Sequence, residues 1–326
     1  MDINREVAAK FGLEIINLFP FRDGILISTN SGKKFLKKNS TASGRILFIH
    51  SVKEHLINSG FKNVDRYVCT PDGQPFLSHE GILYTVTDMV EGTECNFDSE
   101  SELLRATRLL AEFHKHSKGY AIPDGCIPRN ELGKLPQHFL KRLEEIRKLK
   151  KIAKRGKSKF DYLLLENIDY FYAIGEDALK KMSCGIYEEL VDKALKEGTL
   201  CHHDFTHKNV IMGHESTSLI NFEFCSIELK VYDLANLLRR KMRKCDWDIK
   251  KASLILNEYK KTEELSEKDI YLLRIMLQFP QKFWRVINKY YNSRRSWSER
   301  SYIIKLQEVI DEKNKHMEFL NKFDTM

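Results

Sequence analysis

Residues 201 to 209 constrain this chain more than any other segment. They read Cys-His-His-Asp-Phe-Thr-His-Lys-Asn, and an apolar, β-branched run that suits a strand follows at residues 210–212. His202 lies two positions before Asp204, and Asn209 lies five positions after it. This spacing allows a carboxylate to reach a reacting hydroxyl and an amide oxygen to reach a magnesium ion shared with phosphates. We therefore predict that Asp204 is a catalytic base, that Asn209 is a metal ligand and that His202 hydrogen-bonds to the backbone beneath the loop.

The same order of residues occurs in the catalytic loop of kinases, where a metal-binding aspartate follows one short strand later. In this chain Asn221 stands at that position, and Glu223 lies two residues further on. The residues around them have the composition of a strand, in which alternate side chains point to the same face. We therefore expect Asn209, Asn221 and Glu223 to be the metal ligands, with Glu223 supplying the charge that Asn221 lacks.

Two other interpretations of these histidines stay open. His203 and His207 have the spacing of a zinc-binding helix motif, with Asp204 in place of the usual glutamate. That motif requires a helix, whereas the next residues favour a strand, and an aspartate reaches a metal-bound water poorly. The histidines can also form a structural cluster without a chemical role.

The N-terminal region predicts a β-hairpin with a candidate phosphate-binding lysine. Residues 25–28 and 34–38 favour strands, and the turn between them contains a glycine. Lys37 follows an apolar residue in the second strand, as the phosphate-pairing lysine of a kinase does in its third strand. The alternatives are Lys38 and a solvated edge charge. Phe35 stands where a small residue normally lies near adenine, which predicts a narrow adenine slot.

Two further segments are candidates for the border of a nucleotide site. Residues 45–58 have apolar residues at helical spacing, and Glu54, their only acid, either pairs with Lys37 or lies on a solvated face. Residues 82–87 predict a buried strand that enters Asp88-Met89-Val90-Glu91-Gly92, a short acidic connection that suits a hinge. Backbone groups of Asp88, Met89 and Val90 would then bond adenine; the alternative is an ordinary strand and turn.

Taken in order, these motifs resemble the CotS-like spore coat proteins, a branch of the aminoglycoside phosphotransferase and choline kinase-like superfamily. The resemblance covers most of the chain and rests on residues 35–38, 54–56, 60–61, 87–92, 110–114, 202–209, 231–235 and 279–284. It implies an α+β, two-lobed protein-kinase-like fold. Residues 1–91 would form a nucleotide-binding N-lobe with a small antiparallel sheet, and residues 92–326 a mainly helical C-lobe with the catalytic loop and the acceptor-site helices.

The resemblance also implies ATP and Mg²⁺ as cofactors, and a small-molecule acceptor or spore-coat proteins as partners. The chain departs from the superfamily at Asn221, where Asp is usual, at His203, where Gly is frequent, and at Phe35; it also lacks a Gly-x-Gly-x-x-Gly loop. Two functions follow. One is an ATP-dependent phosphotransferase that acts on a small hydroxylated molecule, and the other is a catalytically impaired pseudokinase that serves as a coat-assembly or binding module.

Composition narrows the remaining classes. The chain has 326 residues, of which 42% are hydrophobic, enough for a substantial core. No unbroken apolar run near the start predicts a signal peptide or a membrane span, and seven cysteines without a Cys-x-x-Cys pair indicate free thiols. We expect a cytoplasmic protein, to which the resemblance adds deposition in the spore coat.

The net charge of +8 raises the question of a nucleic-acid partner. Basic residues cluster at positions 147–159. An apolar stripe from Leu140 to Ile152 indicates that they form the solvent-exposed face of an amphipathic helix. The interleaved aromatic residues of single-strand binders are absent there. We therefore do not expect nucleic acid as a partner, and an anionic substrate or an acidic coat protein is the alternative.

Overall fold

A computed structural model describes residues 3–214, 216–293 and 298–324 of the chain. These residues form two compact units, each built from separate segments. The first unit comprises the segment up to Asn130, residues 197–227 and residues 261–263; the second comprises residues 131–196, residues 228–260 and the segment from Glu264 onward. The lobe boundary expected between residues 91 and 92 stays a prediction.

A six-stranded antiparallel sheet dominates the N-terminal part of the first unit. The strand order is β1-β2-β3-β6-β4, and β5 also pairs with β6. Ile27, Leu36 and Val86 are buried in a core shared with helix α1 (Ile3–Lys10). The hairpin and the strand predicted from the sequence are confirmed. The strands are β1 (Ile15–Phe21), β2 (Gly24–Thr29), β3 (Gly32–Asn39), β4 (Tyr67–Val68), β5 (Leu77–His79) and β6 (Ile82–Asp88).

Helix α2 (Ser43–Asn58) confirms the helix predicted at residues 45–58. Ile46, Ile49, Val52 and Leu56 recur at intervals of three and four residues, and all four are buried. This apolar stripe is the feature that predicted the helix, and it packs against the core of the unit. Helix α3 (Glu100–Ser117) belongs to the same unit.

Short strands frame the loop that carries the predicted catalytic residues. They are β7 (Thr93–Glu94), β8 (Leu200–Cys201), β9 (Val210–Met212), β10 (Thr217–Leu219) and β11 (Ser226–Ile227). Strands β7, β9 and β10 form one antiparallel sheet, and β8 pairs with β11. Strand β9 confirms the strand predicted after the catalytic loop.

The prediction that one strand carries both Asn221 and Glu223 is wrong. Strand β10 ends at Leu219, Asn221 has left-handed backbone angles, and Phe222–Phe224 form a 3₁₀ turn. The physical reason is that asparagine tolerates the left-handed region, which breaks an extended chain and starts a turn. The alternation argument therefore does not apply to these two side chains.

The second unit is helical, as predicted for the C-terminal part. Ser158 and Ser266 open α5 and α9 with capping boxes completed by Asp161 and Asp269. The helices are α4 (Leu135–Ala153), α5 (Lys159–Met182), α6 (Ile186–Glu197), α7 (Val231–Met242), α8 (Ile249–Lys260), α9 (Glu267–Gln278), α10 (Gln281–Asn292), α11 (Glu299–Asp311) and α12 (Lys313–Phe323). The expected fold, α+β with an antiparallel sheet first and helices later, is confirmed.

Two details of the predicted patterns can be compared with this fold. On α4, Leu143, Ile146 and Leu149 are buried, but Leu140 and Ile152, assigned to the same stripe, are about half exposed. The stripe is therefore narrower than predicted. All seven cysteines are free thiols, as expected. Within the described ranges, the helices are too short or too polar to cross a lipid bilayer.

Glu228 is a carboxyl group buried at the start of the second unit. It is 3% exposed, and its Oε1 accepts a hydrogen bond from the backbone N–H of Leu229 at 2.8 Å. Burial raises the pKa of Glu228 to about 8, and the neighbouring charges of Glu131 and Asp233 act in the same direction. Because the folded-state pKa exceeds the ordinary value of 4.5, folding favours the protonated acid.

This shift predicts a pH dependence of stability. The contribution of Glu228 to the free energy of unfolding is fully present below pH 4.5. It is lost as pH rises to about 8, because the unfolded chain then releases a proton that the folded chain retains. Glu228→Gln should remove this decline and be more stable than the wild type above pH 8, by on the order of a few kcal/mol. Urea denaturation between pH 5 and 9 measures the effect. The exposed Glu188→Gln is the control, and identical pH profiles for wild type and Glu228→Gln would contradict the prediction.

Candidate active site

Asp204 lies in the loop between β8 and β9, where Asn209 orients it. Asn209 ends a 3₁₀ turn (His207–Asn209) and is buried. Its side-chain amide donates to the carbonyl oxygen of Asp204 at 2.8 Å and to its carboxylate Oδ2, also at 2.8 Å. The turn folds residue 209 back onto residue 204, so the spacing seen in the sequence produces a direct contact. The carboxylate is thereby held in one orientation.

Asn221 extends this arrangement from the end of β10. Its backbone has φ 64° and ψ 68°, and its Nδ2 lies 3.3 Å from Oδ1 of Asn209. Asn221, Asn209 and Asp204 therefore form one hydrogen-bonded chain. The amide oxygen of Asn209 that we predict as a metal ligand is the acceptor in this chain, and its role in metal binding stays a prediction.

His202 lies beneath the loop and ties it to the neighbouring segment. The ring is buried, and its Nε2 lies 3.0 Å from the carbonyl oxygen of Ile220. It also contacts the ring of Phe222 edge-on, with 5.0 Å between centroids. His202 thus joins the loop of Asp204 to the turn of Asn221 through a backbone hydrogen bond of the expected kind.

The zinc interpretation of His203 and His207 is wrong, because the segment between them is not a helix. A helical turn is needed to bring two histidines four residues apart to one metal ion. The loop instead requires His203 to adopt φ 65°, in the left-handed region. That conformation costs a non-glycine residue about 1–2 kcal/mol.

A buried ion pair that the sequence reasoning missed supports the Asn221 turn. The ammonium group of Lys53 on α2 lies 2.9 Å from Oδ1 of Asp65 and donates to the carbonyl oxygen of Asp65 at 2.7 Å. The other carboxylate oxygen of Asp65 accepts the backbone N–H of Asn221 at 3.2 Å. The sequence carried a signal for this lysine, since Lys53 follows Ile49 by four residues and precedes Leu56 by three, which places it on the apolar stripe of α2.

Lys37 lies between two carboxylates. Its ammonium group is 2.6 Å from Oδ2 of Asp23 at the tip of the β1–β2 hairpin, and it also binds Glu223. Burial lowers the pKa of Lys37, but the hydrogen bonds to Asp23 and Glu223 outweigh burial and raise it. Lys38 lies over the ring of Tyr84 instead. Of the two lysines, Lys37 is therefore the one that lines the cavity described below.

Glu54 does not pair with Lys37. Its carboxylate makes a bidentate contact with Arg66, with Nε at 2.8 Å and Nη2 at 2.6 Å. The partner of Lys37 from the region after the catalytic loop is Glu223, whose predicted role as a metal ligand stays a prediction. The sequence could not distinguish these pairings, because Lys37 and Glu223 are 186 residues apart.

A cavity of about 300 Å³ within the first unit brings most of these groups together. Lys37, Asn209, Asn221 and Glu223 line it, with Phe35 among its aromatic walls. Gly24 is required beside Phe35, because a Cβ atom at this glycine would lie 2.6 Å from the Phe35 ring and 2.4 Å from a backbone oxygen. The charged residues of the lining are five carboxylates and three cations: Asp23, Asp65, Asp88, Glu94 and Glu223 against Arg22, Lys37 and Lys53.

The predicted hinge residues form part of the same lining. The N–H of Met89 donates to the carbonyl oxygen of Lys33 at 3.0 Å, which directs this peptide towards β3. The N–H of Asp88 donates in the other direction, to the carbonyl oxygen of Arg66 at 2.8 Å. Because backbone groups alternate in direction along an extended chain, the carbonyl of Asp88 and the N–H of Val90 face the side away from β3. Both residues line the cavity, and their contact with adenine stays a prediction.

Comparison with known proteins places this site in a family context. A family model described as "Spore coat putative kinase YutH" matches residues 4–323. Spore coat protein S of Bacillus subtilis (strain 168) is 28% identical to the chain over 299 residues, which cover 91% of this chain and 85% of that protein.

Solved structures with the same fold are phosphotransferases. An aminoglycoside phosphotransferase from Alicyclobacillus acidocaldarius subsp. acidocaldarius superposes with a TM-score of 0.87 at 22% identity, covering 98% of this chain and 95% of that one. A spectinomycin phosphotransferase in complex with ADP and spectinomycin gives a TM-score of 0.66 at 16% identity, with 99% and 98% covered. At these identities the likeness establishes the kinase-like fold.

The left-handed backbone of His203 generates a prediction that separates strain from side-chain contacts. His203→Ala and His203→Gly both lack the imidazole, so they differ mainly in backbone cost. We expect the Gly variant to be more stable than the Ala variant by about 1 kcal/mol, because φ 65° strains alanine but not glycine. Denaturant unfolding measures this difference. At His207, inside the 3₁₀ turn, the order should reverse by roughly 0.5–1 kcal/mol; the same order at both positions would argue against backbone strain at His203.

Proposed function

The chain belongs to the spore coat kinase family that the YutH model describes, and from this premise we propose that it binds ATP and transfers a phosphoryl group to a hydroxyl of a small molecule. The observation that carries the proposal is the pair of hydrogen bonds by which Asn209 orients Asp204, beside a cavity that Asn209 and Lys37 both line. Membership of this family and the similarity to spore coat protein S support an association of this protein with the spore coat.

Adenine would bind at the connection that follows β6. The carbonyl of Asp88 offers an acceptor and the N–H of Val90 a donor on the cavity side, a pair that matches the adjacent donor and acceptor of an adenine edge. Met89, which lies between these two residues, would also contact the base. The complex of the spectinomycin phosphotransferase with ADP supports nucleotide binding in a protein of this fold.

Phosphate groups would compete with Asp23 for Lys37. Asp23 lies at a hairpin tip and is largely exposed, and the hydrogen bond from Lys37 lowers the pKa of Asp23, so it stays ionised. A nucleotide phosphate offers Lys37 a stronger, doubly charged partner once Asp23 moves aside. Lys37 would then orient the phosphates while Glu223 stays beside it.

The donor set fits Mg²⁺ held together with a nucleotide. Asn209 and Asn221 offer amide oxygens and Glu223 a carboxylate, and Mg²⁺ in kinases is commonly held by one or two carboxylates plus substrate phosphates. When bound, the ion would neutralise charge on the phosphates. The excess of carboxylates over cations in the lining also favours a nucleotide that enters with a divalent cation, because a bare polyanion would be repelled.

Asp204 would orient the acceptor hydroxyl and take its proton. Asn209 holds both the backbone and the carboxylate of Asp204, which leaves Oδ1 for the acceptor. His202 stabilises the loop from below through Ile220 and does not need to touch the substrate. Positioning of this kind accounts for most of the catalysis in phosphoryl transfer.

A pseudokinase that serves as a coat-assembly module is the second candidate. The contact of Asn221 Nδ2 with Asn209 Oδ1 favours it, because an amide nitrogen lies against the oxygen that should face a metal ion. Occupation of Lys37 by two acids acts in the same direction. Nucleotide binding with and without metal separates the two candidates.

Replacing Asp23 tests whether it competes with phosphate. We expect Asp23→Asn to tighten ATP binding about tenfold, or ~1.4 kcal/mol, because the phosphates no longer compete with the Asp23 carboxylate for Lys37. Calorimetry with Mg²⁺ measures the dissociation constant. Glu80→Gln, at an exposed turn of another hairpin in the same sheet, is the matched control and should change nothing. In a Lys37→Met background the gain should disappear, and an unchanged or weaker affinity of Asp23→Asn would refute the competition.

Asn221→Asp tests the metal site, because the change in ATP affinity should have opposite signs with and without Mg²⁺. The added carboxylate should tighten ATP binding about tenfold in millimolar Mg²⁺ and weaken it in EDTA, because it attracts the cation but repels bare phosphates. Glu223→Gln should reduce the Mg²⁺ dependence of both proteins. Mg²⁺-dependent binding by the wild type would support the phosphotransferase and justify a screen of hydroxylated acceptors. Binding that appears only in Asn221→Asp would favour the pseudokinase.

A further inference from the structure

A second cavity, of about 40 Å³ and partly open to solvent, lies within the helical unit. Its walls come from α5, α7, α9, α10, α11 and α12 and are largely apolar, with Phe171, Phe279 and Phe283 among them. Four cations also line it, namely Arg239, Arg243, Lys282 and Lys313, but Glu312 is the one carboxylate among the described residues of the lining. All four cations are partly buried. An apolar cavity with this imbalance of charge is unusual, because cations withdrawn from water are normally paired.

One of the four cations is neutralised within the protein. Arg243 makes a bidentate contact with Glu312, with Nη2 at 2.6 Å and Nε at 2.9 Å. The indole nitrogen of Trp247 donates to the same carboxylate at 3.2 Å. Glu312 therefore neutralises Arg243, and the other three cations need a different counter-charge.

Among the described residues, the hydrogen-bond partners of Arg239 are neutral. Its Nη2 donates to the carbonyl oxygen of Met276 at 2.7 Å and its Nη1 to Oδ1 of Asn236 at 3.0 Å. Its Nε is buried and has no hydrogen-bond partner among the described residues. An unsatisfied donor on a charged group costs more than a neutral one, because the desolvation of the group is left uncompensated.

Lys282 and Lys313 also lack an acidic partner among the described residues. The ammonium group of Lys313 binds the amide oxygen of Asn167 and lies over the ring of Tyr170 at 5.0 Å, contacts that carry no negative charge. Lys282 has no carboxylate within ion-pair distance in the described ranges, and the exposed Glu308 acts on it only from further away. Burial lowers the pKa of both lysines, and for Lys282 the charges of Arg243 and Arg285 act in the same direction.

We propose that this cavity binds a small oxyanion of the size of phosphate through Arg239, Lys282 and Lys313. A tetrahedral oxyanion offers several acceptors to converging N–H groups and supplies the missing negative charge. The volume suits a small ion and is too small for a nucleotide, and the largely apolar walls strengthen the attraction between the ion and the cations. The site is independent of the nucleotide cavity, which is lined by residues of the first unit alone.

Inorganic phosphate is the probe, and thermal unfolding in phosphate against chloride at equal ionic strength is the measurement. At ten times the dissociation constant, the wild-type melting temperature should rise by about 2 °C, and each further tenfold increase in phosphate should add a similar increment. Lys282→Met should lose this shift, and its melting temperature in chloride should not fall, because it removes a cation that has no acid partner. Lys313→Met should lose the shift as well.

Two control variants keep the result specific. Lys148→Met removes an exposed cation from α4 and should retain the full phosphate shift. Lys37→Met impairs the nucleotide cavity and should also retain it, so that failure of this site and failure of ATP binding are told apart. No phosphate-specific shift in the wild type, a shift that survives in both Lys282→Met and Lys313→Met, or a shift lost in Lys37→Met would overturn the proposal.

Discussion

The buried ion pair between Lys53 and Asp65 is the interaction on which the candidate active site depends. Withdrawing an ammonium group from water is costly, and here a carboxylate oxygen at 2.9 Å, a carbonyl oxygen at 2.7 Å and the ring of Tyr67 at 4.3 Å compensate it. Asp65 uses its second oxygen to hold the N–H of Asn221. Since removal of either charge would leave the other buried and unpaired, helix α2 and the Asn221 turn are coupled by electrostatics.

This coupling continues as far as the predicted catalytic base. Asn221 donates to Asn209, and Asn209 donates to Asp204, so one polar chain connects α2 with the carboxylate that would receive the acceptor proton. From the sequence, Glu54 of α2 could either pair with Lys37 or lie on a solvated face. In the structure the adjacent residue, Lys53, contacts Asp65 and through it the Asn221 turn, rather than Lys37. The position of α2 therefore bears on Asp204 through hydrogen bonds within one compact unit.

Local patterns predicted the elements of this site well, and long-range pairings poorly. The β2–β3 hairpin, helix α2 and strand β9 followed from alternation and helical spacing, which depend on neighbours in sequence. The turn at Asn221 was missed because an apolar sequence favours a strand, while the left-handed backbone is stabilised by Asp65, 156 residues away. The partners of Lys37 were equally inaccessible, since Asp23, Glu54 and Glu223 are all plausible acids until tertiary packing selects two of them.

The balance of charges in the cavity offers an explanation of Asn221 other than the loss of a metal ligand. Among its described lining residues, the cavity of the candidate active site has two more carboxylates than cations, and Asp23 and Glu223 both bind Lys37. If phosphates enter there as we propose, an aspartate at position 221 would add a further negative charge beside them, and only a tightly held cation could offset it. Asparagine keeps the hydrogen bond to Asn209 without that repulsion. Asn221 and Glu223 can therefore be understood together, as a site in which the negative charge has moved from the turn to the residue beside Lys37.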